Sequence, residues 1–387
     1  MTIYYSGNHV KLLRNGTEYF PAIEAAIQQA QHEIYLETYI YQDDVIGRRI
    51  AKALQKAAQR GVRVHVLLDG FGSKEMSLTF IQGFQFAGVE LMFYRQKISA
   101  WALKKNRLRR LHRKILVVDG QVGFVGGINI IDDNNVPDNA VPRVDYAVQI
   151  QGALLAPLLE TVQILWRRIA WMQLRRVPKV LAKANVTLKP EEHKVHAALV
   201  LRDNVLHRHD IEWAYLAAIN NAKYEIIIAN SYFIPGWRFR KALMDAADRG
   251  VRVKLLLQGR IEYLVMIATN ASYSALLSHG IEIYEYRKSF MHSKVAVVDG
   301  VWATVGSSNI DPFSLLLARE ANVMVQDQKF ANELRMDILK SIQEGAVQIS
   351  PESWVRGNLK RRVFSWIVYG LLRAVLGLVG RAEDWMK

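Results

Sequence analysis

The 387-residue chain is an internal duplication, and any fold it adopts must set two similar units side by side. AIQQAQHEIYLETYIY at 26–41 resembles AINNAKYEIIIANSYF at 218–233, and AAQRGVRVHVLLDG at 57–70 nearly repeats as AADRGVRVKLLLQG at 246–259. AGVELMFYR at 87–95 returns as HGIEIYEYR at 279–287. LHRKILVVDGQVGFVGGIN at 111–129 returns as MHSKVAVVDGVWATVGSSN at 291–309, and RVDYAVQI at 143–150 as REANVMVQ at 319–326. The order is unchanged and the spacing drifts little. One domain has been doubled; this is not a solenoid.

Within each half, helical and strand patterns alternate. Residues 47–60 place Ile50, Ala53, Leu54 and Ala57 at helical spacing, Gly61 suits a helix end, and Val62 to Leu68 reads as a strand. KILVVDG and KVAVVDG read as core strands closed by a tight turn before VGFVGG and VWATVGS. The expected class is α/β: two duplicated sandwich domains with buried sheets. The boundaries read as 1–152 for the first domain, 153–195 for an amphipathic basic helix and linker, 196–350 for the second domain, and 351–387 for a basic, apolar tail.

The duplicated chemistry is His-x-Lys-x4-Asp, at His112/Lys114/Asp119 and His292/Lys294/Asp299. Side chains two apart on a strand share a face, so each copy offers a nitrogen base and a fixed cation to one cleft, while Arg113 and Ser293 point away. The aspartates sit at a turn, where a carboxylate can orient a neighbour. Gly126, Gly127, Gly306, Ser307 and Ser308 allow close backbone approach to an oxyanion, and Asn129 and Asn309 can donate hydrogen bonds to it. Two such copies face to face suit phosphoryl transfer. A neutral histidine attacks phosphorus, and a protonated one gives its proton to the leaving alcohol and then serves as base. The lysines stabilise the transition-state charge. No metal or cofactor is expected. A core duplication has no packing reason to keep His, Lys, Asp and Asn in register.

At these residues the chain resembles the phospholipase D superfamily, with its paired His-x-Lys-x4-Asp-x6-Gly-(Gly/Ser)-x-Asn motifs. Within it the chain looks most like bacterial cardiolipin synthases of the B type, through LETYIYQDD, HRKILVVDG, RDNVLHRHDIE, IIIANSYFIPG and GSSNIDPFSL. The resemblance implies two α/β domains related by a pseudo-twofold, with the active site between them. It implies His112 as nucleophile and His292 as acid, although the residues alone do not say which is which. It also implies that Asp145 orients His292 and Glu320 orients His112, each across the domain boundary. Glu37 and Asp69 have Ala229 and Gln258 as repeat partners, so no symmetric role is expected of them.

The substrate must be read elsewhere. The net charge of +15 calls for an anionic partner, and the absence of cysteine excludes disulfides and thiolate metal sites. The stretch from Arg95 to Lys114 holds nine Lys/Arg and no acid, interleaved with Ile98, Trp101, Leu103 and Leu108. Trp166 to Lys183 adds six more beside Trp166, Trp171, Met172 and Leu174, after a helix with Leu155, Leu158, Val162, Leu165 and Ile169 on one face. VFSWIVYGLLRAVLGLV at 363–379 contains Arg373 and reads as an interfacial helix, not a span. MTIYYSGNHVKLLRNG has no apolar signal region.

Basic residues mixed with Trp and Leu suit an anionic bilayer better than nucleic acid, which is not expected as a partner. The expectation is a peripheral enzyme on the cytoplasmic side of a bacterial inner membrane, making cardiolipin and glycerol from two phosphatidylglycerols. The alternatives are a phospholipid hydrolase or nuclease of the same superfamily, and a catalytically dead lipid-binding scaffold.

Overall fold

The structure, a computed structural model, describes residues 2–95, 109–136, 142–175, 195–203, 206–260, 272–311, 314 and 318–350. The basic residues 96–108 and 176–183 and the apolar tail lie outside the described residues.

The first half runs β1 (Tyr5–Arg14), α1 (Asn15–Gln29), β2 (Glu33–Thr38), α2 (Val45–Gln59), β3 (Arg63–Asp69), α3 (Leu78–Phe86), β4 (Glu90–Tyr94), β5 (Arg110–Leu111), β6 (Ile115–Val118), β7 (Val122–Gly126) and β8 (Tyr146–Gly152). Helix α4 (Leu155–Met172) follows. The second half runs β9 (Val195–Arg202), α5 (Asp210–Asn221), β10 (Glu225–Asn230), α6 (Trp237–Asp248), β11 (Arg252–Gln258), α7 (Tyr273–Ser278), β12 (Glu282–Tyr286), β13 (Lys294–Val298), β14 (Trp302–Gly306), β15 (Ala318–Gln326), α8 (Gln328–Gly345) and β16 (Ala346–Ile349).

The local reasons are visible. Helix α2 starts where the Asp44 carboxylate accepts the Gly47 N–H at 2.8 Å. It buries Ile50, Ala53, Leu54 and Ala57 as their spacing predicts, and Gly61 follows its end with φ of +92°.

All strands join one mixed sheet in the order β16-β12-β11-β10-β13-β14-β15-β9-β1-β8-β7-β6-β2-β3-β4, with β5 pairing beside β15. Read inward from β4 and from β12, the order is the same in both halves, which is the pseudo-twofold expected of the duplication. The halves meet at the β1–β9 pair, where a bulge between Tyr5 and Asn8 is filled by the buried Asn8 amide, donating to Tyr5 O at 2.6 Å and Val195 O at 3.3 Å. On one face, Ile34, Leu36, Leu116 and Val118 pack under α1–α3, and Ile226, Ile228, Ala296 and Val298 under α5–α7. On the other face a single core spans both halves beneath α4 and α8. Trp166, assigned from sequence to the membrane-seeking surface, belongs to that core: it is buried and its ring lies 4.8 Å from His65.

The motif aspartates, expected from the sequence to act with the histidines and lysines, sit at turns where each carboxylate holds neighbouring backbone. Asp119 and Asp299 lie at the opposite strand ends from Lys114 and Lys294, in two-residue turns with both central φ values positive (Asp119 +52°, Gly120 +61°; Asp299 +53°, Gly300 +65°). Asp119 accepts the backbone N–H groups of Gln31, His32 and Glu33 at 2.7–2.8 Å, and Asp299 those of Lys223, Tyr224 and Glu225 at 2.8–2.9 Å. Each carboxylate ties a hairpin to the start of the neighbouring strand. We expect Asp119→Ala to cost about 3 kcal/mol in a denaturation experiment, with turnover of the folded fraction reduced by less than about tenfold; full loss of turnover at unchanged stability would restore a catalytic role.

Candidate active site

The two histidines stand just before β6 and β13, not within them. Each is held by the other half. The His112 N–H donates to Arg319 O at 3.0 Å, beside the β5–β15 pairing, and the His292 N–H donates to Val144 O at 2.7 Å, beside the bridge between Val144 and Met291. Across the same joint, His112 Nδ1 lies 3.0 Å from Glu320 Oε2, and His292 Nδ1 lies 2.7 Å from Asp145 Oδ2. A carboxylate at Nδ1 fixes the tautomer and leaves Nε2 of each ring for chemistry. The pairing also sets the repeat register: Val144 matches Arg319 and Asp145 matches Glu320, so Arg143 and Arg319, aligned in the sequence strings, are not equivalents.

The residue before each histidine is clamped as well. Asp69 accepts the Leu111 N–H at 2.8 Å, and the Gln258 amide donates to Met291 O at 3.0 Å. These repeat partners do the same job with opposite polarity, so Asp69 has the symmetric counterpart that was not expected of it. Glu37 is asymmetric, as expected: it pairs with buried Arg113 at 2.9 Å.

Lys114 and Lys294 are buried side chains. Lys114 Nζ donates to His112 O at 2.7 Å and lies 5.4 Å from the Tyr39 ring centre. Lys294 Nζ donates to His292 O and, at 3.0 Å, to Ser231 Oγ. Ser231 in turn donates to Asn309 Oδ1 at 3.0 Å, and Asn129 Oδ1 accepts the Ile40 N–H at 3.1 Å. Both asparagine carbonyls are thus engaged, so their NH2 groups are the parts free to donate. Tyr39 also meets the His112 ring at 4.8 Å. Tyr39 and Ser231 are repeat partners at the ends of β2 and β10; sequence reasoning passed over them, though the aligned strings place both at one position.

Gly126, Gly127 and Ser307 were expected to approach an oxyanion, and the structure gives them other neighbours. A Cβ on Gly126 would lie 2.5 Å from the Ala147 backbone, and one on Gly127 would lie 2.3 Å from Asp145 Oδ1. Ser307 Oγ donates to Glu320 Oε2 at 2.5 Å. Gly126 makes room for the neighbouring strand, Gly127 makes room for the Asp145 carboxylate, and Ser307 holds that of Glu320.

Burial dominates the electrostatics. It pushes Lys114 down to about 7 and Lys294 down to about 8, against the pull of Glu320 and Asp145. It lowers both histidines, His292 furthest, with Lys294 and Arg143 adding to the effect. It raises Asp145 to about 7. Burial also works against the ionised Glu320, but His112, Lys114 and the Ser307 hydroxyl together hold that carboxyl below its ordinary range. Four cationic or cationisable groups thus converge on one desolvated point, which suits an incoming oxyanion. An apolar groove of about 690 Å³ lined by Ile3, Tyr4, Trp213 and Trp302 lies at the Asp299 end, away from this chemistry.

A family model described as cardiolipin synthase, PLD-like domain, matches residues 23–153 and 215–341. The chain is 39% identical over 384 residues to cardiolipin synthase B of Escherichia coli K12, covering 97% of this chain and 90% of that protein, and is equally similar to cardiolipin synthase B of Shigella flexneri. Among solved structures it resembles the phosphatidylserine synthase of Haemophilus influenzae, with a TM-score of 0.66 at 14% identity over 100% of this chain and 97% of that one; this supports the fold.

An oxyanion bound between the histidines favours the charged lysines and raises their pKa values. With Lys114 lowered to about 7 and Lys294 to about 8, binding of inorganic phosphate at pH 8 is expected to take up protons. Calorimetry in two buffers of different ionisation enthalpy measures this, and proton release would contradict the arrangement.

Proposed function

The chain belongs to the cardiolipin synthase family of phospholipase D-like proteins, and on that premise we propose that it joins two phosphatidylglycerol molecules into cardiolipin and glycerol. The chain is accordingly a phosphatidyltransferase. The observation that carries the reading is the pair of Nδ1-anchored histidines, with His112 close enough to help lower the pKa of His292, beside two buried lysines.

In this reading His112 Nε2 attacks the phosphorus of the first phosphatidylglycerol. The bond to the glycerol oxygen breaks, and that oxygen takes the proton from His292 Nε2. The phosphatidyl group now sits on His112. A headgroup hydroxyl of the second phosphatidylglycerol then attacks phosphorus, gives its proton to His292 and frees His112. Lys114, Lys294, Asn129 and Asn309 offset the charge on the phosphoryl oxygens. Transfer outcompetes hydrolysis where the site opens onto lipid and water is scarce.

A peripheral position on an anionic bilayer is part of the proposal. No helix among the described residues is long and apolar enough to cross a membrane. The strand ends that carry the histidines are rimmed by exposed apolar side chains: Val45 opening α2, Leu78 opening α3, Trp237 opening α6, and Phe71. Lys74 and Arg110 lie 5.2 and 4.9 Å from the Phe71 ring. Apolar side chains beside cations around a site mouth suit a headgroup boundary.

Two measurements test this. Wild-type enzyme on phosphatidylglycerol vesicles is expected to yield cardiolipin with equimolar glycerol, and His112→Ala to lose at least about a thousandfold in rate; phosphatidic acid as the main product would favour the hydrolase. Trp237→Ser combined with Leu78→Ser is expected to weaken partition onto phosphatidylglycerol vesicles at least about tenfold, and unchanged partition would remove this rim from the contact.

A further inference from the structure

Gly127 and Ser307 occupy the same place in the two motifs, and they treat the two carboxylates differently. Ser307 is fully buried, accepts the Ala321 N–H at 3.0 Å and donates its hydroxyl to Glu320 Oε2 at 2.5 Å. Asp145 accepts the Tyr146 N–H at 2.8 Å on Oδ1 and faces His292 on Oδ2. Gly127 brings it no hydroxyl and has no room to, since a Cβ there would collide with Oδ1.

We propose that Ser307 is a positioning residue that makes the two His–carboxylate pairs unequal, committing the His112–Glu320 pair to nucleophilic attack and leaving the donatable proton to the His292–Asp145 pair. This deepens the mechanism above and rests on its assignment of His112 as nucleophile.

The two carboxylates have similar charged surroundings. Glu320 is faced by His112, Lys114, Tyr39, Lys294 and Arg202. Asp145 is faced by His292, Lys294, Lys114 and Arg143. The two lysines are shared, each acid has one arginine nearby, and each accepts one further donor: the Tyr146 backbone N–H on Asp145 and the Ser307 hydroxyl on Glu320, of which only the hydroxyl belongs to a side chain. An O–H donated to a carboxylate favours its ionised form. Burial works to raise both acids; at Glu320 His112, Lys114 and, in addition, the Ser307 hydroxyl overcome it and hold the carboxyl low, whereas it lifts Asp145 to about 7. Below that pH the Asp145–His292 pair holds one proton more than its counterpart and titrates as a unit. That proton is the one an acid must supply to the leaving glycerol. On the other side, attack by His112 Nε2 builds positive charge on the ring, and an ionised Glu320 across Nδ1 stabilises it.

The test is the pH profile of kcat/KM on phosphatidylglycerol vesicles for wild type, Ser307→Ala and Ser307→Thr. The acidic limb reports protonation of the nucleophile's pair. Removing the hydroxyl raises that pair's affinity for a proton, so Ser307→Ala is expected to move the limb up by about one pH unit. Activity then falls about tenfold at a pH one unit below the wild-type limb and little on the plateau. Ser307→Thr keeps the hydroxyl and is expected to keep the wild-type limb. A uniform fall at all pH values with the limb unmoved overturns the role of Ser307. Mass spectrometry of wild-type enzyme quenched and digested at alkaline pH, where a phosphorus–nitrogen bond survives, separates the two failures: a phosphatidyl group on His292 defeats the nucleophile assignment itself, whereas one on His112 with an unmoved limb defeats only the inference about Ser307.

Discussion

Everything in this site depends on an exchange of hydrogen bonds between the halves: His112 to Glu320 and His292 to Asp145. Neither half contains a complete pair. The backbone repeats the exchange, because each histidine N–H is bound to the carbonyl just ahead of the other half's acid. The β1–β9 joint, where the central strands of the two halves pair, therefore sets the geometry of the chemistry as well as the fold. A hydrogen bond tolerates only a few tenths of an ångström before it weakens. A shift between the halves would misalign both pairs at once.

The same closure creates the electrostatic condition for phosphate. Two lysine ammonium groups buried side by side are costly unless counter-charge is supplied, and the two carboxylates supply it only in part while they also serve the histidines. A phosphodiester entering between the rings adds one negative charge where the deficit lies. The binding energy is spent where charge develops during transfer, which is the arrangement expected of a site complementary to its transition state.

Much of this was legible in the sequence because duplication served as an internal control. The helix over Ile50–Ala57 and the Asp-Gly turns follow from strings that recur in register, whereas the crossed acids came from the family resemblance. Three things were not legible. The motif aspartates look chemical, yet they lie at the far strand ends, since the few residues after Lys114 carry the chain across the sheet. Trp166 looks exposed beside its basic neighbours, yet helical periodicity places it with Leu158, Val162 and Ile169 in the core. Ser307 and Gly127 look like small residues that admit a ligand. Their real neighbours, Glu320 and Asp145, are distant in sequence and come close only through strand pairing.

The places where the repeats disagree are where a symmetric scaffold has acquired direction. A doubled unit gives two equivalent histidines, and two equivalent histidines cannot divide the work of nucleophile and acid. Several of the differences fall beside the histidines. Tyr39 lies under Lys114 where Ser231 holds Lys294, and Gly127 stands where Ser307 binds its carboxylate. Glu37 and Arg113 form a buried ion pair where the second half has Ala229 and Ser293. That last exchange could not have occurred one residue at a time without cost: either charge alone, buried beside the site, would be destabilising by about 3–5 kcal/mol. The second half is neutral at both positions and the first is charged at both, as that penalty requires. Burial thus keeps the asymmetry in matched sets, and the matched sets surround the two histidines whose roles must differ.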